Sequence, residues 1–308
     1  MARPPPVTKP GRSLKLGKSI GEGNFGVVHE GWLPLKCKQV AIKVVKNTKH
    51  EEIRNELDIL EKVSGHKNII DFYGAFYQKP TKNNLQDEGL WIAMEYCADG
   101  SVYDLIGTKE NHSLEEEWIA YICKEVLQGL CHLQDRKIIH YDLKPENLLL
   151  TKSADVKIID LGLATIGETS NSGTGTLPYM APDVFGLFFN DYVEYDNKVD
   201  VWSMGITAIE KAEGYTPHHE LKEIEFLVKT IEGPAPVLTW NKWSKTFNDF
   251  VHQCLQKDPA KRPTAQQLLS HQFIKDMSNV EGVKNQITEN LQKGTVNCKS
   301  LEMKHQKL

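Results

Sequence analysis

The sequence predicts an α+β fold in two lobes, a small β-rich N-terminal lobe followed by a larger helical C-terminal lobe. Three observations carry this. Up to Tyr96 the chain reads mainly as short β-type runs, punctuated by a Gly-rich turn and a polar insert. After the turn at Ala98-Asp99-Gly100 the apolar residues recur at helical spacing. A chain of 308 residues has room for two modest domains or one bilobal body.

Residues 1–13, with the run Pro4-Pro5-Pro6, are expected to form a flexible, polyproline-like lead-in. Docking of that run to a proline-binding domain is the alternative. From Leu14 to Val45 the pattern is strand, Gly-rich turn, strand, then a strand pair ending in Val40-Ala41-Ile42-Lys43-Val44-Val45. Glu51 to Val63 is predicted helical, with Ile53, Leu57 and Leu60 on one face. Ile69–Tyr77 and Leu90–Tyr96 read as strands joined by the polar insert Lys79 to Glu88. The main body is predicted over 14–274, with an N-lobe to about residue 96, a C-lobe over 97–274 and a cleft at the hinge near Glu95 to Asp99.

In the second lobe, Ile119, Ile122, Val126, Leu130 and Leu133 mark a long amphipathic helix. Val201, Gly205, Ile206 and Ile209 mark another, and Phe247, Phe250, Val251, Cys254 and Leu255 a third. In the tail, 275–308, Val280, Val283, Ile287 and Leu291 line one face of an additional helix. That face is expected to pack back on the large lobe or to bind a partner. No internal repeat is present.

Composition narrows the classes. With 40% hydrophobic and 25% charged residues the chain reads as a soluble globular protein. A net charge of −4 gives no general argument for nucleic acid or an anionic membrane as partner. The six cysteines are scattered without a C-x-x-C pair, so neither a disulfide framework nor structural zinc is expected. The N-terminus has no apolar core of a secretory signal, and no apolar run approaches the ~20 residues that span a bilayer. The expected location is cytoplasmic.

The chemistry-bearing motifs follow in chain order. Gly21-Glu22-Gly23-Asn24-Phe25-Gly26-Val27-Val28 has the form G-x-G-x-x-G-x-V. Glycines let a hairpin lie close over phosphates with its amides turned inward, and Val28 can cover an adenine face. Gly-rich turns also occur in dinucleotide folds, but this one lies between strands rather than opening a helix. Lys43 comes 17 residues after Gly26, following Val40-Ala41-Ile42. With Glu56 on the next helix as its ion-pair partner, it suits a grip on α- and β-phosphates.

The segment Ile138-Ile139-His140-Tyr141-Asp142-Leu143-Lys144-Pro145-Glu146-Asn147 gathers a carboxylate, an ammonium and an amide within six residues. Asp142 is the candidate base for a substrate hydroxyl, Lys144 the cation for a moving phosphate, and Asn147 a magnesium ligand. Asp160-Leu161-Gly162 follows 13 residues after Asn147, and its aspartate is the candidate second metal ligand.

With these motifs in order, the chain resembles a eukaryotic protein kinase from about Leu14 to Phe273. Gly175-Thr176-Leu177-Pro178-Tyr179-Met180-Ala181-Pro182-Asp183 resembles the family's substrate-docking and A-P-E segment. Asp200-Val201-Trp202-Ser203-Met204-Gly205 resembles the helix whose aspartate braces the catalytic loop, and Arg262 the arginine that pairs with the A-P-E acid. Leu90 to Cys97, Glu117 to Cys123, Gly205 to Glu210 and Ala212-Glu213-Gly214 are similar to the germinal-centre branch of the sterile-20 kinases, with the kinase domain of class III myosins as a related candidate. Asp142 to Asn147 and Thr176 to Asp183 look more like other serine/threonine groups.

The resemblance implies the bilobal protein-kinase fold, ATP and Mg2+, and intracellular signalling with protein substrates and cascade kinases as partners. It implies Met94 as gatekeeper beside the adenine, backbone groups of Glu95 and Cys97 on the adenine edge, Ala41 in the nucleotide site and Asp104 at the ribose. Lys144 two residues after the base, with Thr176 bonded to both, follows the serine/threonine pattern.

Three residues depart from the family pattern: Tyr141 for Arg, Leu161 for Phe and Asp183 for Glu. An Arg at position 141 ordinarily pairs with phosphate on the activation segment, and Asp160 to Asp183 contains no Lys or Arg to replace it. Phosphate on Ser170, Ser172 or Thr174 is therefore expected to order the segment weakly. The alternative is that Tyr141 simply packs and a distant cation acts. Asp183 is expected still to reach Arg262 at a small cost in stability. These departures also invite a pseudokinase scaffold; the complete set Lys43, Glu56, Asp142, Asn147 and Asp160 stands against it. The acidic run Glu220 to Glu225 is expected to be a solvated helix face, with basic-substrate recognition as the alternative.

Overall fold

The structure is a computed structural model that describes residues 14–23, 26–34, 37–46, 50–79, 88–170, 172–186 and 195–305. The Pro-rich lead-in, Asn24, Phe25 and most of the polar insert lie outside the described residues. The chain divides into two compact units, Met1–Cys97 and Ala98–Leu308.

The first unit is an antiparallel five-stranded sheet with one helix. Its strands are β1 (Lys15–Gly23), β2 (Gly26–Leu33), β3 (Lys38–Val45), β4 (Phe72–Gln78) and β5 (Gly89–Glu95), in spatial order β1-β2-β3-β5-β4. Alternation of side chains along β3 sends Val40, Ile42 and Val44 into a cluster with Leu33, Phe76 and Trp91. Phe76 and Trp91 are cross-strand partners with ring centroids 5.4 Å apart, a tilted pair that adds to the area it buries. The opposite face of β3 carries Ala41, Lys43 and Val45, and all three are buried.

Helix α1 (His50–Val63) buries Glu56, Ile59, Leu60 and Val63, while Ile53 and Leu57 are half-buried. The expected stripe is thus rotated. The physical reason is Glu56, whose carboxylate faces inward to meet Lys43 and takes a place that apolar periodicity assigns to carbon. The strand expected from Ile69 begins instead at Phe72, because the Ile69 amide closes a turn on the His66 carbonyl at 3.0 Å.

The second unit is mainly helical. Helices α2 (Val102–Gly107) and α3 (Glu116–Gln134) precede the short strands β6 (Ile138–Ile139), β7 (Leu148–Leu150), β8 (Val156–Ile158), β9 (Thr165–Ile166) and β10 (Thr169–Ser170). Then come α4 (Pro182–Phe185), β11 (Tyr195–Asp196), α5 (Lys198–Glu213), α6 (Glu223–Glu232), α7 (Lys245–Cys254), α8 (Ala265–Leu268), α9 (Gln272–Lys275) and α10 (Val280–His305). Strands pair antiparallel as β6 with β9, β7 with β8 and β10 with β11.

Helix α3 buries all five of the apolar residues that mark it in the sequence. Helix α5 is different: every residue from Val199 to Glu213 is buried. A helix buried on all sides must satisfy its polar groups inside the protein. Ser203 donates to the Tyr179 carbonyl at 2.8 Å, Glu210 accepts from the Tyr179 hydroxyl at 2.7 Å, and Glu213 accepts from the Trp240 amide at 2.9 Å. Lys211 donates to Cys123 Sγ at 3.4 Å.

Helix α10 buries Val283, Ile287 and Leu291 and packs on α3 and α2. Trp118 Nε1 donates to Gln286 Oε1 at 2.9 Å, Thr108 Oγ1 to Asn290 Oδ1 at 3.0 Å, and Lys284 pairs with Asp155 at 2.8 Å.

Candidate active site

In the first unit, β1 and β2 form the glycine hairpin, with Gly21 opposite Val28, Glu22 opposite Val27 and Gly23 opposite Gly26. Gly26 has φ 149°, and a Cβ there would lie 2.2 Å from the Val44 carbonyl oxygen. Only glycine lets the hairpin base approach β3 so closely. Val28 stands opposite Lys43 on β3, and Ala41 opposite Met94 on β5. Lys43 Nζ meets Glu56 Oε1 at 2.6 Å with both groups buried. A pair so shielded from water fixes the position of the ammonium far better than a surface pair would. Met94, Glu95 and Cys97 are half-buried, and the Glu95 amide donates to the Asp71 carbonyl at 2.9 Å.

Asp104 belongs to the second unit and has a structural task. Its Oδ2 accepts from the Ser101 amide at 2.7 Å and the Ser101 hydroxyl at 2.8 Å, while Ser101 Oγ accepts from the Asp104 amide. This is a capping box that starts α2.

The loop after β6 brings Asp142, Lys144, Asn147 and Thr176 together. Lys144 Nζ donates to Asp142 Oδ2 at 2.8 Å and to Thr176 Oγ1 at 2.7 Å. The Thr176 hydroxyl donates to Asp142 Oδ1. Asn147 Nδ2 donates to the Asp142 carbonyl at 2.8 Å and to Oδ2 at 2.9 Å. Burial alone would push the Asp142 carboxyl up; hydrogen bonds from Lys144 and Thr176, with the Lys144 charge, outweigh it and hold the carboxyl below its usual range.

The loop backbone is held from beneath. Asp200 accepts from the amides of His140 and Tyr141, each at 2.9 Å. His140 Nδ1 accepts from the Asp142 amide at 3.2 Å, which leaves Nε2–H to donate to the Ile159 carbonyl at 2.9 Å. Tyr141 is in the left-handed region at φ 68°, a cost that these paired amides offset.

Asp160 also has left-handed backbone, φ 57°, and follows directly on β8 and Ile159, whose amide donates to the Asn147 carbonyl at 3.0 Å. The two candidate metal residues are therefore tied through one backbone bond. An amide oxygen and a carboxylate are the hard donors magnesium takes, and this ion is commonly held by few protein groups together with substrate phosphates. Among the described residues no group of three or more His, Cys, Asp or Glu is placed to hold a metal by itself. The donor set fits magnesium brought with a nucleotide.

Tyr141 packs. Its ring is 4% exposed and meets Tyr195 edge-on with centroids 5.9 Å apart, and its hydroxyl accepts from Thr165 Oγ1 at 3.2 Å. Leu161 is buried, as an apolar side chain there should be. Asp183 reaches Arg262 through two bonds, Nη2 to Oδ1 at 2.7 Å and Nη1 to Oδ2 at 3.3 Å. Sequence reasoning missed Tyr195, and it missed Glu210, whose carboxyl is pushed up to about 7 by burial, with the Tyr179 hydrogen bond opposing and the Glu146 charge adding. Tyr195 sits in no motif; Glu210 closes the stretch Gly205 to Glu210 that carries the resemblance, and an acid following the apolar run Ile206 to Ile209 was the signal available for it.

Such a loop, braced by a buried aspartate and joined to a following metal-type aspartate, defines a phosphotransferase class, and the chain belongs to the protein kinase family. The model of the protein kinase domain matches residues 14–274. Among curated relatives, the chain is 40% identical over 289 residues to Misshapen-like kinase 1 of Rattus norvegicus, covering 92% of this chain and 21% of that protein. It is 38% identical over 290 residues to serine/threonine-protein kinase mig-15 of Caenorhabditis elegans, covering 92% and 26%. It is 36% identical over 293 residues to human Myosin-IIIa, covering 91% and 18%. The chain thus spans about a quarter or less of the length of these relatives.

Proposed function

We propose that this chain is an ATP- and magnesium-dependent serine/threonine protein kinase with a folded domain over 14–274 and an added helical tail over 275–308. The observation that carries the reading is the bonded set Asp142, Lys144, Asn147 and Thr176. Asp142 orients the acceptor hydroxyl and takes its proton as the new O–P bond forms; Lys144 neutralises charge on the transferred phosphoryl group. Lys43, held by Glu56, grips the α- and β-phosphates. Asn147 and Asp160 would hold magnesium, which when bound offsets the negative charge of the phosphates.

In the same reading, backbone amides of the hairpin 21–26 cover the phosphates, with Asn24 and Phe25 at its tip. Val28, Ala41 and Met94 line the adenine, Glu95 and Cys97 offer backbone groups to its edge, and Asp104 reaches the ribose. Thr176 bonded to both base and lysine suits a short serine or threonine hydroxyl. Protein substrates, cascade kinases as partners and a cytoplasmic location complete the proposal. The name of the Caenorhabditis elegans relative, a serine/threonine-protein kinase, supports that class.

The test is transfer from labelled ATP with magnesium to a generic basic protein, beside Asp142→Asn. The variant should lose on the order of 10²–10⁴ in rate with ATP affinity retained. Equal rates in the two proteins would remove Asp142 from its role, and phosphate only on tyrosine would overturn the serine/threonine class.

A further inference from the structure

Helix α10 touches the far end of the hairpin that carries the proposed metal residues. Asn147 directly precedes β7 and Asp160 comes two residues after β8, so both stand at the hairpin's open end. Leu148 lies opposite Ile158, Leu149 opposite Lys157 and Leu150 opposite Val156. Leu148, Leu150, Val156 and Ile158 are fully buried, and the Ile159 amide closes the open end on the Asn147 carbonyl. The turn at the other end, residues 151–155, is about 10 Å away at roughly 3.3 Å per strand residue. A ladder this short and closely packed moves as one piece, so whatever holds the turn also fixes Asn147 and Asp160.

The turn needs holding, because Ala154 has left-handed backbone, φ 56°, a cost that neighbouring bonds must offset. Tyr121 of α3 donates its hydroxyl to the Ala154 carbonyl at 2.9 Å. The two oxygens of Asp155 have separate tasks. Oδ2 accepts from the Thr151 hydroxyl at 3.2 Å and the Ser153 hydroxyl at 2.9 Å, closing the turn on itself. Oδ1 accepts from Lys284 Nζ of α10 at 2.8 Å. Burial alone would push the Asp155 carboxyl up; bonds from Lys284 and Ser153, with the Lys284 charge, outweigh it and keep the group ionised below its usual range. Lys284 is placed in turn by the seat of its helix, where Val283 and Ile287 are buried and Gln286 accepts from Trp118 Nε1.

We infer that Lys284 is a positioning residue for the binding of magnesium with nucleotide, acting from the tail helix through Asp155 and the β7–β8 hairpin on Asn147 and Asp160. The inference rests on the kinase reading above, which takes those two residues as metal ligands. Magnesium demands near-ideal octahedral geometry, so a hairpin released at its turn loses metal affinity while contacts to adenine and ribose are untouched. The link joins residues 129 apart and leaves no spacing in the sequence. It makes α10 part of what tunes the site.

The experiment uses the full chain beside Lys284→Met, Lys284→Arg and Ile287→Asp. ADP affinity is titrated by calorimetry with magnesium and again with the metal removed by EDTA, and the ratio gives the gain that magnesium supplies. Lys284→Met should lower that gain about two- to fivefold, the equivalent of a partly exposed ion pair, with affinity in EDTA unchanged. Lys284→Arg keeps the charge and should restore the gain. Ile287→Asp puts a charge into the buried seat of α10 and should lower the gain at least as far with Lys284 still present; if that variant does not fold, the two Lys284 variants decide. An unchanged gain in Lys284→Met, or an equal loss in Lys284→Arg, overturns the inference. The amide NMR signal of Ile159 is a second readout: it should shift in Lys284→Met and return in Lys284→Arg, with the amides of α7 unmoved. If the unmodified chain binds no nucleotide, the kinase reading fails by itself and this signal alone decides: a shift supports the link through the hairpin, and an unmoved signal refutes it.

Discussion

Asp183 and Tyr141 both replace a residue usual in the family, and the protein accommodates them in opposite ways. At Asp183 the chemistry is retained. The carboxylate is one methylene shorter, but Arg262 comes to it with two bonds while also donating to the carbonyls of Gln256 and Lys198, each at 3.0 Å, and lying over Trp202. At Tyr141 the chemistry is exchanged. A cation gives way to a phenol, and a second phenol 54 residues further on supplies its partner. A lost methylene is absorbed by a small approach of the partner; a lost charge requires a new set of neighbours.

The comparison can be broken first where the charge is buried. Arg262→Met should leave the Asp183 carboxylate unpaired and lower stability by about 3–5 kcal/mol, read by urea unfolding. A loss below about 1 kcal/mol would mean that Asp183 is hydrated and that the retained ion pair contributes little.

Glu210 is the intermediate case, a buried carboxyl whose partner is a phenol. The folded chain holds its proton up to about pH 7, above the ordinary 4.5. Between those values the unfolded chain has lost a proton that the folded chain keeps, so stability should fall as pH rises from about 4.5 to 7, by about 3 kcal/mol at most. Glu210→Gln should flatten that slope in urea melts run across the range, and a slope that persists would assign it to other groups.

The smallest effect belongs to the neutral cluster. Tyr141→Phe removes one hydroxyl and keeps the ring, so the cost should be about 0.5–1.5 kcal/mol, with no dependence on salt. A salt-sensitive loss would show that a charge takes part at Tyr141 after all, and would close the difference between the two places.

Much of this was legible in the sequence because it is local. Lys144 and Asn147 fall near Asp142 by chain geometry alone, and the spacing from Gly26 to Lys43 spans a strand pair whose register the structure keeps. Asp183 and Arg262 lie 79 residues apart but were readable through a family pattern. Tyr195 had no such aid: an aromatic pair formed by distant segments leaves no period and no spacing. Helix α1 shows a second limit. Periodicity put Leu57 inside, whereas the ion pair at Glu56 rotates the helix and brings Ile59 and Val63 in instead. Helix α5 shows a third, since Lys211 and Glu213 read as surface residues by type and are buried by their partners.

The buried helix α5 also sets a clock for the loop above it. Backbone amides exchange with solvent deuterium only when their segment opens, and a helix enclosed on every side opens with the whole of its unit. Asp200 lies in the first turn of that helix and holds the amides of His140 and Tyr141. Two amides in an irregular loop should therefore exchange as slowly as the innermost helix, outlasting the amides at the exposed end of α6. The part of the chain most often imagined as pliable would be among the last to take up deuterium.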